Sequence, residues 1–271
     1  MRRGCIIPVA RARKRSQVGS KALKLGYLKR KGVRIPETYV CTFRAYDEYL
    51  SGNRNILTIL EKELEQIVRG DRRYSVRSSA NVEDETEHSF AGQFETYLDV
   101  SGPESICEAI KRIWQSIEGD KVRAYLTKIG ETRDAVKMAV IVQEMITPQL
   151  SGVVFTKNPL NGLDEVIIES VLGLGEQLVQ GGITPDRWVY KWGDWIERPA
   201  NKDRDLPLVQ EIVTQARTIA KKYGKPVDLE WVYDGKDLYW LQLREITSLR
   251  DVNIYSNRIA KEFLPGMIKP L

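Results

Sequence analysis

The chain has 271 residues, 42% hydrophobic and 29% charged, which is enough apolar material for one large domain or two lobes and argues against a disordered polymer. Lys and Arg number 42 against 37 Asp and Glu, a formal charge of +5, and no acidic residue precedes Glu37; that basic start attracts anions, whether nucleic acid, an import receptor, a phosphate-rich small molecule or only the counterions of a solvated tail. No apolar run approaches the roughly 20 residues of a membrane span, charge in "MRRGCIIPVARARKRS" breaks its apolar patch too early for a secretory signal, and Cys5, Cys41 and Cys107 lack disulfide or zinc spacing, so a cytoplasmic protein without a membrane partner is expected.

In chain order, "QVGSKALKLGYLKRKG" sets Lys21 on a small-residue turn before a helix, where an ammonium and exposed N–H groups meet a phosphate, although a solvated lysine fits as well. Apolar residues three and four apart predict helices over 56–68, 104–117 and 208–223. Between the first two, "VRSSA" ends an apolar approach at Arg77 and opens into a hydroxyl-rich stretch through "SFAGQ" that carries the only histidine, His88; its small residues suit a flap over phosphates. Strands are predicted in "VKMAVIVQEMI", "SGVVFTK" and "EVIIESV", the last followed by the glycine-rich "SVLGLGEQLVQGG", and in two hairpins, "DRWVYKWGDWIERP" and "VDLEWVYDGKDLYWLQLREI". This mixture predicts an α+β fold with antiparallel sheets rather than repeated βαβ winding. The closing "FLPGMIKPL" is expected to lead toward another element or subunit.

The last hairpin allows a register argument. A three-residue loop of Tyr233, Asp234 and Gly235, with glycine in the left-handed position, puts Val227, Leu229 and Trp231 on one face with Tyr239, Leu241 and Leu243. Asp228, Glu230, Gln242 and Arg244 then share the other face. Two carboxylates and an amide oxygen are hard ligands suited to Mg2+ shared with substrate phosphates, and a guanidinium beside them takes a phosphate oxygen. A surface ion pair between the strands is the competing reading. A triphosphate here needs a divalent ion and cations, since unit charges about 4 Å apart interact by roughly 4 kcal/mol at an effective dielectric near 20; Lys21, Arg77 and Arg244 are candidates.

Five segments in order, "VGSKALKLGYLKRKGVRIPETYVCTFRAY", "VRSSANVEDETEHSFAGQFET", "VIVQEMITPQLSGVVFTKNPLNG", "ESVLGLGEQLVQGGITPDRW" and "VDLEWVYDGKDLYWLQLREIT", resemble the ATP-grasp nucleotide-binding domain of the phosphoenolpyruvate synthase and pyruvate, phosphate dikinase family, which includes rifampin phosphotransferase. The resemblance covers about residues 18 to 250 and implies an ATP-grasp fold of two lobes, with a boundary near residue 135, residues 1–250 forming the nucleotide-binding domain and 251–271 starting a linker. It implies ATP and Mg2+ as ligands, with Lys21 and Arg77 on phosphates, Asp228 near ribose and metal, Glu230 and Gln242 on the metal, and Arg244 on the transferred phosphates. It further implies Gln143 to Met145 along the adenine pocket and Glu169 reaching the nucleotide.

The resemblance also implies a partner. In that family ATP phosphorylates a histidine on a separate swivelling domain, within a Thr-Ser-His motif, and a further domain passes the phosphoryl group to pyruvate or another acceptor. No such motif occurs in this sequence. His88 sits in the flap, where relatives need no histidine, and is expected to be a loop residue. Ser20 and Ala22 replace glycines that usually flank the first lysine. The expected function is the Mg-ATP component of a phosphotransferase acting with a phosphohistidine domain or subunit; the alternative is a nucleotide-binding regulatory module without turnover. A nucleic-acid binder is the third reading, lacking a recognised motif or an aromatic stacking ladder.

Overall fold

A computed structural model describes residues 4–82, 95–129, 132–173, 184–200, 202 and 205–246. The expected α+β arrangement is present as two antiparallel sheets with flanking helices. The first sheet contains β1 (Ile6–Pro8), β2 (Thr38–Cys41), β3 (Tyr74–Ala80), β4 (Thr96–Val100) and β5 (Met138–Glu144), in the spatial order β1-β2-β5-β3-β4. The second contains β6 (Leu150–Phe155), β7 (Val166–Leu172), β8 (Asp186–Lys191), β9 (Asp194–Glu197), β10 (Val227–Tyr233) and β11 (Leu238–Glu245), in the order β11-β10-β6-β7-β8-β9. The chain passes from one sheet to the other between Glu144 and Leu150.

Alternation along the strands sorts the first sheet into two packed faces. Val76, Val140 and Val142 point to one core with helices α2 (Phe43–Leu50), α3 (Ile56–Glu65) and α4 (Pro103–Gln115). Helix α3 buries Ile56, Leu60 and Leu64, four apart, and α4 buries Ile106, Ile110, Ile113 and Trp114, the periodicities read from the sequence. A shorter helix, α5 (Asp120–Ile129), follows. The opposite face carries Val40, Ala139 and Ile141 and packs against helix α1 (Arg15–Arg30).

That second core continues into the other sheet. Across it runs a fully buried row, Leu243, Leu229, Val154, Ile168 and Trp188, directly opposite one another in register. Helix α6 (Leu206–Tyr223) covers it with Val209, Ile212, Val213, Ala216 and Ile219 and ends at Gly224, whose φ of 85° accepts the left-handed turn. Gly152 sits opposite Trp231; a Cβ there would lie 2.0 Å from the Glu169 carbonyl oxygen and 2.9 Å from the indole. No helix of the described residues is long and apolar enough to cross a membrane.

The closing hairpin corrects the expected loop. Tyr233 pairs with Leu238, so the turn has four residues, Asp234 to Asp237, held by the Asp234 carboxylate accepting from the N–H groups of Lys236 at 2.8 Å and Asp237 at 2.7 Å. An even loop puts Trp240 and Leu238, not Tyr239 and Leu241, on the core face near the turn; Trp240 is fully buried, and Tyr239 and Leu241 are half-buried. A bulge between Glu230 and Trp231 then adds one residue to β11 and restores the expected parity, pairing Glu230 with Gln242 and Asp228 with Arg244. Gly235 has the positive φ expected of it, 98°.

Candidate functional site

The polar face of the second sheet is assembled by register alone. Gln242, Glu230, Val153, Glu169 and Arg187 form one row across five strands, and Arg244 lies opposite Asp228 one step away. Glu230 accepts from an Arg244 guanidinium nitrogen at 2.8 Å, and the Arg244 Nε reaches Asp228 at 3.3 Å. Gln242 is buried, while the two carboxylates and Arg244 are partly open. Among the expected residues, these four come together as one cluster.

Arg77 enters from the other sheet. It projects from β3 on the face shared with Ile141 and Val40, and its guanidinium lies 3.5 Å from Glu230. The Glu230 carboxylate is therefore gripped by two arginines, one from each sheet. At these separations each pair interacts by several kcal/mol before solvent screening, so anything displacing one arginine must replace its charge.

The backbone that carries Lys21 is anchored to the strand of Arg77. Helix α1 is kinked at Gly19, with φ 74° and ψ 177°, and a helical run starts anew just before Lys21. Gly19 is pressed against β3 so closely that a Cβ would stand 2.3 Å from the Ser79 carbonyl oxygen. The Ser79 hydroxyl donates to the Val18 carbonyl at 2.7 Å and accepts from the Ala22 N–H at 3.1 Å. Ser79 thus staples the start of this helix to the strand carrying Arg77, two residues away on the same face. Sequence reasoning missed this serine: "VRSS" drew attention to Arg77, and nothing local distinguishes a stapling serine from a solvated one.

The remaining expected residues lie farther along. Gln143 shares the Arg77 face two residues along β5, is buried, and donates from its amide to the Thr38 hydroxyl at 3.1 Å, which in turn donates to the Pro36 carbonyl. Met145 follows β5; its N–H donates to the Arg73 carbonyl at 2.8 Å and its sulfur accepts from the Asp99 N–H. Between them Glu144 pairs with Arg72 at 2.5 Å, an ion pair that sequence reading did not single out. Glu169 shares the Glu230 row but lies two strands away, with Val153 between. Arg187, also unforeseen, ends that row and pairs with Glu197 at 3.2 Å. His88, the flap and most of the glycine-rich segment after β7 lie outside the described residues.

Among the described residues no three His, Cys, Asp or Glu side chains gather to hold a metal by themselves. The donors present are two carboxylates with an amide beside them, all hard oxygen ligands, a set that suits a cation completing its shell with water and substrate oxygens. Cys5, Cys41 and Cys107 are free and buried, and burial pushes the Cys107 thiol up to about 11.

Comparison with known proteins gives the site a context. The sequence model described as "Pyruvate phosphate dikinase, AMP/ATP-binding domain" matches residues 54–206 and 197–259. A probable phosphoenolpyruvate synthase of Archaeoglobus fulgidus is 32% identical over 86% of this chain and 40% of its own length. The phosphoenolpyruvate synthase of Pyrococcus furiosus is 34% identical over 70% of this chain and 28% of its own, and a rifampicin phosphotransferase of a Streptomyces species is 29% identical over 94% and 38%. The chain thus spans well under half the length of these relatives. Among solved structures, an acetyl-coenzyme A synthetase of Ca. Korarchaeum cryptofilum in complex with coenzyme A and Ca-AMPCP aligns with a TM-score of 0.47 at 10% identity, covering 83% of this chain and 91% of the other.

Proposed function

The chain belongs to the AMP/ATP-binding domain family of pyruvate phosphate dikinase, and from that premise we propose that it is the Mg-ATP-binding part of an ATP-dependent phosphotransferase that passes a phosphoryl group to a histidine on a separate domain or subunit. The observation that carries this reading is the convergence of Arg77 and Arg244, from different sheets, on Glu230. An anion-binding site with its own carboxylates has use for a substrate that brings both negative phosphates and a cation.

In this proposal Lys21, Arg77 and Arg244 hold the phosphates, Glu230 and Gln242 hold the metal, and Asp228 stands between metal and ribose. Gln143 to Met145 line the adenine pocket, and Glu169 meets the nucleotide from the second sheet. A bound Mg2+ supplies charge neutralisation and orients the phosphate oxygens. The protein's share is positioning and electrostatic stabilisation, with the two arginines leaving Glu230 for phosphate oxygens as nucleotide enters. No side-chain nucleophile of this chain is needed. Residues 1–250 form the nucleotide-binding unit, and pyruvate or another final acceptor meets only the partner. The setting is cytoplasmic, a reading supported by three free, buried cysteines.

The test is to incubate the chain with ATP, Mg2+ and a recombinant Thr-Ser-His domain from a relative. AMP, inorganic phosphate and an acid-labile phosphohistidine should accumulate together, one phosphoryl group passing to the histidine and the other to water, and Arg77→Ala should abolish all three. Tight Mg-ATP binding with no transfer to any such domain would favour a regulatory module over an enzyme component.

A further inference from the structure

A cavity of about 310 Å3 lies away from the residues discussed above, between the C-terminal end of α1 and the last turns of α6. Lys31, Arg34 and Lys222 stand around it, the Tyr27 ring and Ile219 supply apolar wall, and none of its lining residues is acidic. Arg34 is partly neutralised by Asp237. Among the described residues no carboxylate pairs with Lys31 or Lys222, and the Lys31 ammonium rests 5.6 Å from the centre of the Tyr27 ring. Lysines near helix C-termini complement the helix dipole. That explains each lysine singly, but not why two helices bring theirs to the same hollow.

The Tyr27 ring that supplies the wall is itself held, meeting the Tyr223 ring edge-on with centroids 5.2 Å apart. The cavity floor is wired to the other site. Gln215, in the lining, accepts from the Trp240 indole N–H at 2.8 Å, and the Arg34 carbonyl accepts from the Trp240 backbone N–H at 3.0 Å. Trp240 lies on β11 two residues before Gln242 and four before Arg244. Along α1, Lys31 lies ten residues, or about 15 Å of helix, from Lys21.

We propose that this cavity is a second ligand site, taking a small dianion such as a phosphate or a short dicarboxylate between Lys31 and Lys222. Its volume falls at the lower end of small-molecule sites. Occupancy bears on α1 and β11, the two elements that deliver Lys21 and the Gln242–Arg244 pair, so it is placed to modulate the cleft. The proposal stands whether or not the cleft binds nucleotide.

The test is a heteronuclear NMR titration of the full chain, following the Trp240 indole N–H, with inorganic phosphate in one arm and succinate in the other. A saturable shift is expected in at least one arm, and the responding arm identifies the chemistry. Lys31→Gln with Lys222→Gln should weaken it at least tenfold, each single change should weaken it several-fold, and Arg77→Ala should leave it intact. No saturable shift in either arm up to about 10 mM, well beyond ordinary ligand affinities, would overturn the proposal. So would a shift untouched by the lysine changes, or one lost in Arg77→Ala, which would place the anion in the cleft.

Discussion

Replacing Gly19 by alanine tests how the helix start bearing Lys21 is held. At φ 74° and ψ 177° the backbone lies in a region that is essentially glycine-only, and occupying it with a side chain costs about 1–3 kcal/mol. The new Cβ would also meet the Ser79 carbonyl oxygen at 2.3 Å, so α1 and β3 must separate by roughly 1 Å to reach ordinary van der Waals contact. That separation strains both bonds of the Ser79 hydroxyl, to Val18 and from Ala22, each contributing about 1 kcal/mol. The expected total is about 3–5 kcal/mol, read as a lowered urea midpoint at unchanged slope. Ser79→Ala should lose about 1–3 kcal/mol at the same contact by leaving the Ala22 N–H without its acceptor. A Gly19→Ala variant within about 0.5 kcal/mol of the parent, the range of an ordinary surface substitution, would refute this account of the kink.

Gly152→Ala should cost about 3 kcal/mol, the upper end of overpacking, because its Cβ would press on the Glu169 carbonyl oxygen and the Trp231 indole inside a central strand; thermal unfolding should show a lowered Tm. Burial raises the Cys107 thiol from 9.0 to about 11 and the Cys41 thiol well above its ordinary range, so thiol reagents at pH 8 should label the native chain far more slowly than the urea-unfolded one. Above the ordinary thiol value of 9.0 the native state holds protons that the unfolded state has lost, so stability present at lower pH should fall as pH rises from about 9 toward 11.

What the sequence made legible follows from how local each signal is. Long amphipathic helices such as α3, α4 and α6 announce themselves because their buried residues repeat every three or four positions. The β-branched strands β5 to β7 do so as apolar runs. Strand β3, "YSVRSSA", does not: Ser75, Ser78 and Ser79 are buried, and their polar character reads as loop until the partners of their hydroxyls are known. In the last hairpin the shared face of Asp228, Glu230, Gln242 and Arg244 was correct, but for a reason the sequence conceals. A four-residue turn and a one-residue bulge cancel in parity, so the pattern of acids and amides looks the same as it would with a shorter loop and no bulge. The meeting of Arg77 with Glu230 joins residues 153 positions apart and depends on how two sheets pack, which periodicity does not encode.

The most direct measurement of the central claim is calorimetric titration of the chain with ATP, with and without Mg2+. The account predicts Mg-dependent, saturable binding, weakened at least tenfold, or about 1.4 kcal/mol, by Arg77→Ala or Glu230→Gln. Absence of binding heat, or binding that ignores both the metal and those two side chains, would contradict it.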